Sequence, residues 1–205
     1  MEKQIAYQKL VEELRARHRK EGFAGSSQAV PGEGSLSAKV MFVGEAPGAK
    51  EDELGRPFVG QAGKFLDQLI ESLGWQRRDV YITNILKFRP PGNRDPLAEE
   101  IEAFRPCLLR EIEIIQPELI VVLGRHALQS LLPGEKISEL RGTALKKGRL
   151  VYFVTYHPAA ALYNPSLKEA IKADFKKIPI FLEKIEKNEL PSSDEKREIS
   201  QKTLF

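Results

Sequence analysis

The sequence predicts an α/β fold, a single three-layer α/β/α domain around a central four-stranded parallel sheet. Three observations carry that expectation. Short, nearly all-apolar runs recur along the chain, amphipathic helical patterns separate them, and the chemically unusual residues follow directly after the runs. Strands without polar alternation are buried on both faces, and strands alternating with helices pair in parallel beneath helical layers.

Tyr7, Leu10, Val11 and Leu14 share one face of a first helix, which runs into the basic stretch Arg15–Lys20. A loop rich in Gly, Ser and Pro follows, from about residue 21 to 37. The first strand is predicted over residues 39–43, the second over 79–83, the third over 119–123 and the fourth over 150–154. Leu66, Leu69, Ile70 and Leu73 form a helical face that stops at Gly74. Ile101, Phe104, Leu108, Ile112 and Ile115 form another, which Pro106 is expected to kink or break. A shorter helix follows Gly124, and a last one spans about 166–187, disturbed at Pro179. The expected organisation is an N-terminal helix and loop packed on the core (1–37), the main domain (38–187) and a polar tail (188–205).

The chain has 205 residues, 41% hydrophobic and 30% charged, with a net charge of +3. That balance is globular and permits a nucleic-acid partner without demanding one, because clustering of charge matters more than its sum. Arg77-Arg78, Lys87-x-Arg89, Arg94 and Lys146-Lys147-x-Arg149 are candidate phosphate contacts, and each also reads as an ordinary solvated group. The single cysteine, Cys107, excludes an internal disulfide and a multi-cysteine zinc site. No apolar run approaches the ~20 residues of a membrane span. The N-terminus lacks the order of a secretory signal, so a cytoplasmic monomer is expected, nucleoid-associated when acting on DNA.

In open α/β sheets ligands bind at the carboxyl ends of the strands. Those ends carry Gly44-Glu-Ala-Pro-Gly48, Asn84, Gly124-Arg-His126 and His157-Pro158. The first lacks the spacing of a dinucleotide fingerprint. Phe58 lies in Gly55-Arg-Pro-Phe-Val-Gly60, and Arg89-Pro-Pro-Gly-Asn-Arg-Asp-Pro96 follows Asn84. Taken alone, Asn84 reads as a cap or turn residue and Phe58 as a core aromatic. In this order, from about Ala38 to Leu182, the set resembles the uracil-DNA glycosylase superfamily, specifically its family 4 enzymes of bacteria and archaea.

The resemblance implies removal of uracil from single- or double-stranded DNA, with the nucleotide flipped into a pocket. It implies that Phe58 stacks on the flipped ring and that the Asn84 amide matches N3–H and O4 of uracil, groups that cytosine reverses. Glu51 is implied near C5, where thymine carries its methyl. Backbone at Gly44, Ala46 and Gly48 is implied to hold a uracil carbonyl. Glu45 is the implied orienter or activator of water, and His157 the donor to uracil O2. Arg89, Asn93 and Arg94 are implied DNA contacts, while Leu162 or Tyr163 would wedge into the duplex. His18 and His126 receive no catalytic role. A non-catalytic uracil-DNA sensing module and a glycosylase for another deaminated base remain alternatives.

The sequence departs from the family at its iron–sulfur cluster, which takes four cysteine thiolates. Phe88 and Phe104 stand where two ligands are expected, and the other pair falls near Arg17 and Lys20. No metal and no cofactor are therefore expected, with Phe88 and Phe104 meeting to replace the cluster by apolar packing. Gln201-Lys-Thr-Leu-Phe205 resembles the bacterial sliding-clamp-binding peptide, with Gln201 setting register and Leu204 and Phe205 filling an apolar pocket.

Overall fold

A computed structural model describes residues 1–190. Their elements, in chain order, are α1 (Glu2–Glu21), β1 (Glu33–Gly34), β2 (Val40–Gly44), α2 (Ala49–Leu54), α3 (Gln61–Glu71) and β3 (Tyr81–Asn84). Then follow α4 (Ala98–Ile115), β4 (Leu119–Leu123), α5 (Gly124–Leu131), α6 (Ile137–Leu140), β5 (Ala144–Lys147) and β6 (Leu150–Thr155). The described chain closes with α7 (Ala160–Tyr163), α8 (Ser166–Phe175) and α9 (Ile178–Glu186). Gln201, Leu204 and Phe205, the expected clamp contacts, lie outside the described residues.

The four predicted strands are present as β3, β2, β4 and β6, side by side and mutually parallel. The expected four-stranded sheet is nevertheless a six-stranded mixed one among the described residues, in the order β1-β3-β2-β4-β6-β5. β1 and β5 are antiparallel edges. Neither has the apolar run of a central strand: β1 is a Glu-Gly pair and β5 reads Ala-Leu-Lys-Lys. Edge strands face water along one side and tolerate such sequences.

Alternation along the strands sorts their side chains into two cores. Met41, Val43, Ile120, Val122 and Val154 pack with Leu10 and Leu14 of α1, Phe104, Leu108 and Ile112 of α4, and Leu128 of α5. Val40, Phe42, Leu119, Val121 and Phe153 pack with Leu66, Leu69 and Ile70 of α3, Ile171 and Phe175 of α8, and Ile178 of α9. Each such apolar side chain contributes roughly 1.5–3 kcal/mol. The result is a three-layer α/β/α domain.

Two helical expectations need correction. Pro106 neither breaks nor ends α4, which runs unbroken through it. The proline cannot donate to the Glu102 carbonyl, but Glu102 is exposed and water can satisfy it. Arg17 Nη1 donates to the adjacent Ala103 carbonyl at 2.9 Å, and the face Phe104–Leu108–Ile112 stays buried. The last helix is two, α8 and α9, and the break falls before Pro179 because proline is accommodated in the first turn of a new helix.

Candidate functional site

The carboxyl rim of β2, β3, β4 and β6 gathers the chemically distinctive residues. Gly44 ends β2 in register with Asn84 at the end of β3. A Cβ on Gly44 would collide with both the Phe58 ring and Asn84 Oδ1, so only glycine lets the two side chains approach the end of β2 this closely. Asn84 is 2% exposed, and its Oδ1 is buried with no hydrogen-bond partner among the described residues. An orphaned acceptor of this kind costs on the order of 1–3 kcal/mol unless a ligand fills it.

Phe58 packs against Gly44. It is buried, yet its backbone lies at φ 51°, a left-handed conformation rare for a non-glycine residue. The strain is held from two sides. Arg77 donates to the carbonyls of Pro57 and Phe58 while pairing with Asp67 at 2.8 Å. Glu51 Oε1 accepts the N–H groups of Val59 and Gly60 at 2.8 and 2.7 Å, and its other oxygen faces Gly48. Glu51 sits on α2 rather than in a loop, and its carboxylate braces the Phe58 turn.

His157 stacks against Phe58 with ring centroids 5.5 Å apart and planes 28° from parallel. Its Nδ1 accepts the Ala159 N–H at 3.1 Å. Burial pushes its pKa down to about 4, opposed by the nearby Glu51 charge. A neutral imidazole whose Nδ1 accepts must carry its proton on Nε2, which makes Nε2–H the ring's donor. Gly124, at φ 88°, leaves room for the His157 Cβ where a side chain would collide. Asp174, buried on α8, accepts from Thr155 Oγ1 at 2.9 Å and from Arg141, fixing the end of β6 just before His157.

Glu45 directly follows β2 and is half-buried. Its pKa is raised, chiefly by burial and further by the Asp95 charge, while His126 and Arg125 act the other way. Glu45, Asp95 and His126 bring ligand-type atoms within 4.8 Å of one another. Arg125 already serves that group as its cation, bonded to Asp95 Oδ2 at 2.8 Å and to His126 Nε2 at 3.1 Å.

The expected DNA contacts divide. Leu162 and Tyr163 protrude on α7, Tyr163 being 89% exposed. Beside Leu162 lies a cavity of about 280 Å³ bordered by Lys64 and Lys168, two cations absent from the sequence expectation. They belong to helical patterns that appeared only structural. Arg89 is bonded to Asn93 Oδ1 at 2.7 Å, and both stay on the loop before α4. Arg94 is paired with Glu100 by two bonds of 2.8 and 2.7 Å. Three of the basic groups read as phosphate contacts are placed otherwise. Arg77 points into the Phe58 turn, and Lys87 is fully buried against Glu111. Lys146, Lys147 and Arg149 flank the turn into β6, at its amino end and so opposite the rim.

The expected iron–sulfur positions hold a different chemistry. Phe88 and Phe104 meet edge to face with centroids 5.0 Å apart, and Phe23 stacks on Phe88 at 4.1 Å. The Arg17 guanidinium lies 4.3 Å from the Phe104 ring centre, and Lys20 is exposed. Cys107 is half-buried, its thiol pushed up by burial. One thiol and a filled aromatic cluster do not fit a four-thiolate iron–sulfur centre.

Comparison with known proteins identifies the family. A family model described as the uracil DNA glycosylase superfamily matches residues 31–179. A type-4 uracil-DNA glycosylase of Sulfurisphaera tokodaii is 52% identical over 162 residues, covering 74% of each chain. One from Archaeoglobus fulgidus is 48% identical over 73% of this chain and 79% of its own. One from Thermotoga maritima is 44% identical over 76% and 83%.

Proposed function

Because the chain belongs to the uracil DNA glycosylase superfamily, we infer that it excises uracil from DNA by hydrolysing the N-glycosidic bond, leaving an abasic site for base excision repair. The observation that carries the assignment of Asn84 as base reader is its Oδ1, buried and without a partner among the described residues, at the rim beside the Phe58 ring. Uracil N3–H donates to that oxygen, and the amide N–H₂ donates to O4. Cytosine presents an acceptor and a donor in the opposite places, leaving buried polar atoms unpaired. Phe58 supplies the apolar wall for the flipped base, held in place by Arg77 and Glu51.

Cleavage sends the electron pair of the C1′–N1 bond into the departing ring. The resulting negative charge at O2 meets the Nε2–H of neutral His157, and backbone N–H groups from Gly44 to Gly48 add donors. Water attacks C1′ and gives its proton to Glu45, whose raised pKa makes its carboxylate the stronger base. The reaction runs on these side chains without a cofactor. Leu162 and Tyr163 fill the stack the base leaves, and Lys64, Lys168 and Arg89 carry phosphates on single- or double-stranded DNA. The protein works as a monomer, and Gln201, Leu204 and Phe205 give it a second contact, with the bacterial sliding clamp.

The test is a labelled oligonucleotide with one uracil, incubated with the protein and then treated with alkali. Strand cleavage at the uracil is expected, unaffected by chelator and reduced about 10²-fold or more in Asn84→Ala. Full activity in Asn84→Ala would remove the base-reading role from this residue.

A further inference from the structure

Beneath the base-reading residue lies a buried ion pair that the chemistry above does not use. Lys87 Nζ and Glu111 Oε2 are 2.5 Å apart, and both side chains are completely buried. Lys87 directs its other donors to Thr83 Oγ1 at 2.6 Å and to the Asn84 carbonyl at 2.7 Å. Glu111 accepts from the Thr83 hydroxyl at 2.9 Å through one oxygen, and from Gly32 N–H and Tyr81 O–H at 3.1 and 3.2 Å through the other. Tyr7 of α1 in turn bonds the Gly32 carbonyl.

We infer that Lys87 and Glu111 are positioning residues for uracil recognition, fixing the peptide that follows Asn84 so that its amide faces the base. The reason lies in that one peptide unit. Its N–H, on Ile85, donates to the Gly44 carbonyl at 3.0 Å. Its carbonyl, on Asn84, points the opposite way, toward the β1 side, where β1 pairs no further along β3 than Ile82. Lys87 supplies the partner the sheet does not. Held from both sides, the peptide cannot rotate, so the direction of the Asn84 side chain is set before substrate arrives.

Stability alone does not account for the pair. Two charges buried together pay a desolvation cost that their attraction barely offsets, and well-packed apolar pairs of the same volume are often as stable or more so. What an apolar pair cannot do is bond the Asn84 carbonyl. The same carboxylate also reaches the segment after α1 through Gly32, so an element remote from the rim is tied to base reading.

This assignment rests on Asn84 being the base reader, and the experiment separates the two ideas. The ion pair is replaced as a unit, Lys87→Met with Glu111→Leu, in the full chain and again in the Asn84→Ala background. Single-turnover kcat/KM on uracil-containing single-stranded DNA is measured for all four proteins below the melting point of the least stable. In the parent background the swap is expected to lower kcat/KM by about 10- to 100-fold, the scale of a misplaced contact group. In the Asn84→Ala background it is expected to cost less than about threefold, because the residue it positions is gone. Equal losses in both backgrounds, or no loss in the parent, would overturn the positioning role. An indifferent Asn84→Ala protein would instead overturn the reading of Asn84 itself. If the apolar pair does not fold, Lys87→Met with Glu111→Gln, which removes the donor to the Asn84 carbonyl but keeps a polar partner for Thr83, Gly32 and Tyr81, carries the same comparison. Failure of both pairs to fold would assign Lys87 and Glu111 to stability and sink the proposal.

Discussion

At the scale of single residues, the site depends on two ionisable groups pushed in opposite senses by the same burial. Burial raises the pKa of Glu45 and lowers that of His157 to about 4. In the proposed mechanism a carboxylate kept basic and an imidazole kept neutral divide the roles of base and donor. Between pH 5 and 8, His157 is already in its working form, so it leaves no limb in the rate profile. The acid limb of kcat is expected to come from Glu45 and to lie above the ordinary carboxylate value of 4.5, because burial raises its pKa. His157→Ala is expected to lower the rate by ~10²–10³ while leaving that limb in place, and Glu45→Gln to remove it. A limb that disappears with His157 would exchange the two assignments. Linkage adds a stability effect of definite sign. The unfolded chain protonates His157 near 6.5 and the folded one not until about 4, so its contribution is present above 6.5 and lost as pH falls toward 4. Glu45, Asn84 and His157 stand out in the sequence because each lies at or just past the carboxyl end of an apolar strand. Lys87 and Glu111 were not, since a lysine near a loop and a glutamate in a helix look like solvated charges. Only the fold puts the two side chains 2.5 Å apart.

At the scale of elements, legibility followed apolar content. The four central strands announce themselves because both faces are buried, whereas β1 and β5 carry glutamate, glycine and lysine and read as loop. The aromatic cluster shows the limit from the other side. Phe88 and Phe104 were expected to meet, but Phe23 was not, because it lies in a Gly- and Ser-rich loop with no periodicity to place it. Its ring lies on Phe88 and the His18 ring lies 5.3 Å from Phe88, so α1, the loop after it, the loop after β3 and α4 converge there. At the positions where the resemblance implies iron–sulfur ligands, this chain packs aromatic rings held by dispersion and burial. Phe88→Ala is expected to destabilise by roughly 3–5 kcal/mol, the usual cost of emptying an aromatic site. Urea unfolding followed by circular dichroism would measure it. A loss under about 1 kcal/mol would mean that the cluster is peripheral to stability.

At the scale of the whole molecule, function depends on which face carries accessible cations, and here the sequence misleads by counting alone. A net charge of +3 says little, and of the basic groups legible as phosphate contacts, Lys87 is interior and Lys146, Lys147 and Arg149 sit at the wrong end of the sheet. The rim instead presents Lys64 and Lys168 from α3 and α8, either side of the cavity beside Leu162. Helical periodicity marks these residues only as outward-facing, and it takes the packing of α3 beside α8 to bring them together. Each phosphate neutralised by such a lysine releases about one counterion, so the dependence of affinity on salt counts the contacts. Affinity is best measured on DNA carrying a uracil nucleotide that resists cleavage, between 50 and 200 mM salt, as ~10³–10⁵-fold changes over that interval are typical of DNA-binding proteins. Replacing Lys64 and Lys168 by alanine is expected to flatten the slope of log affinity against log salt by about 1 to 2, without changing the preference for uracil over thymine. Removing residues 201–205 is expected to do the reverse: slope and excision rate stay as they were, and affinity for the sliding clamp is lost. A slope untouched by the lysine changes would move the DNA path off this face of the rim, and clamp binding that survives the truncation would place that contact elsewhere on the chain.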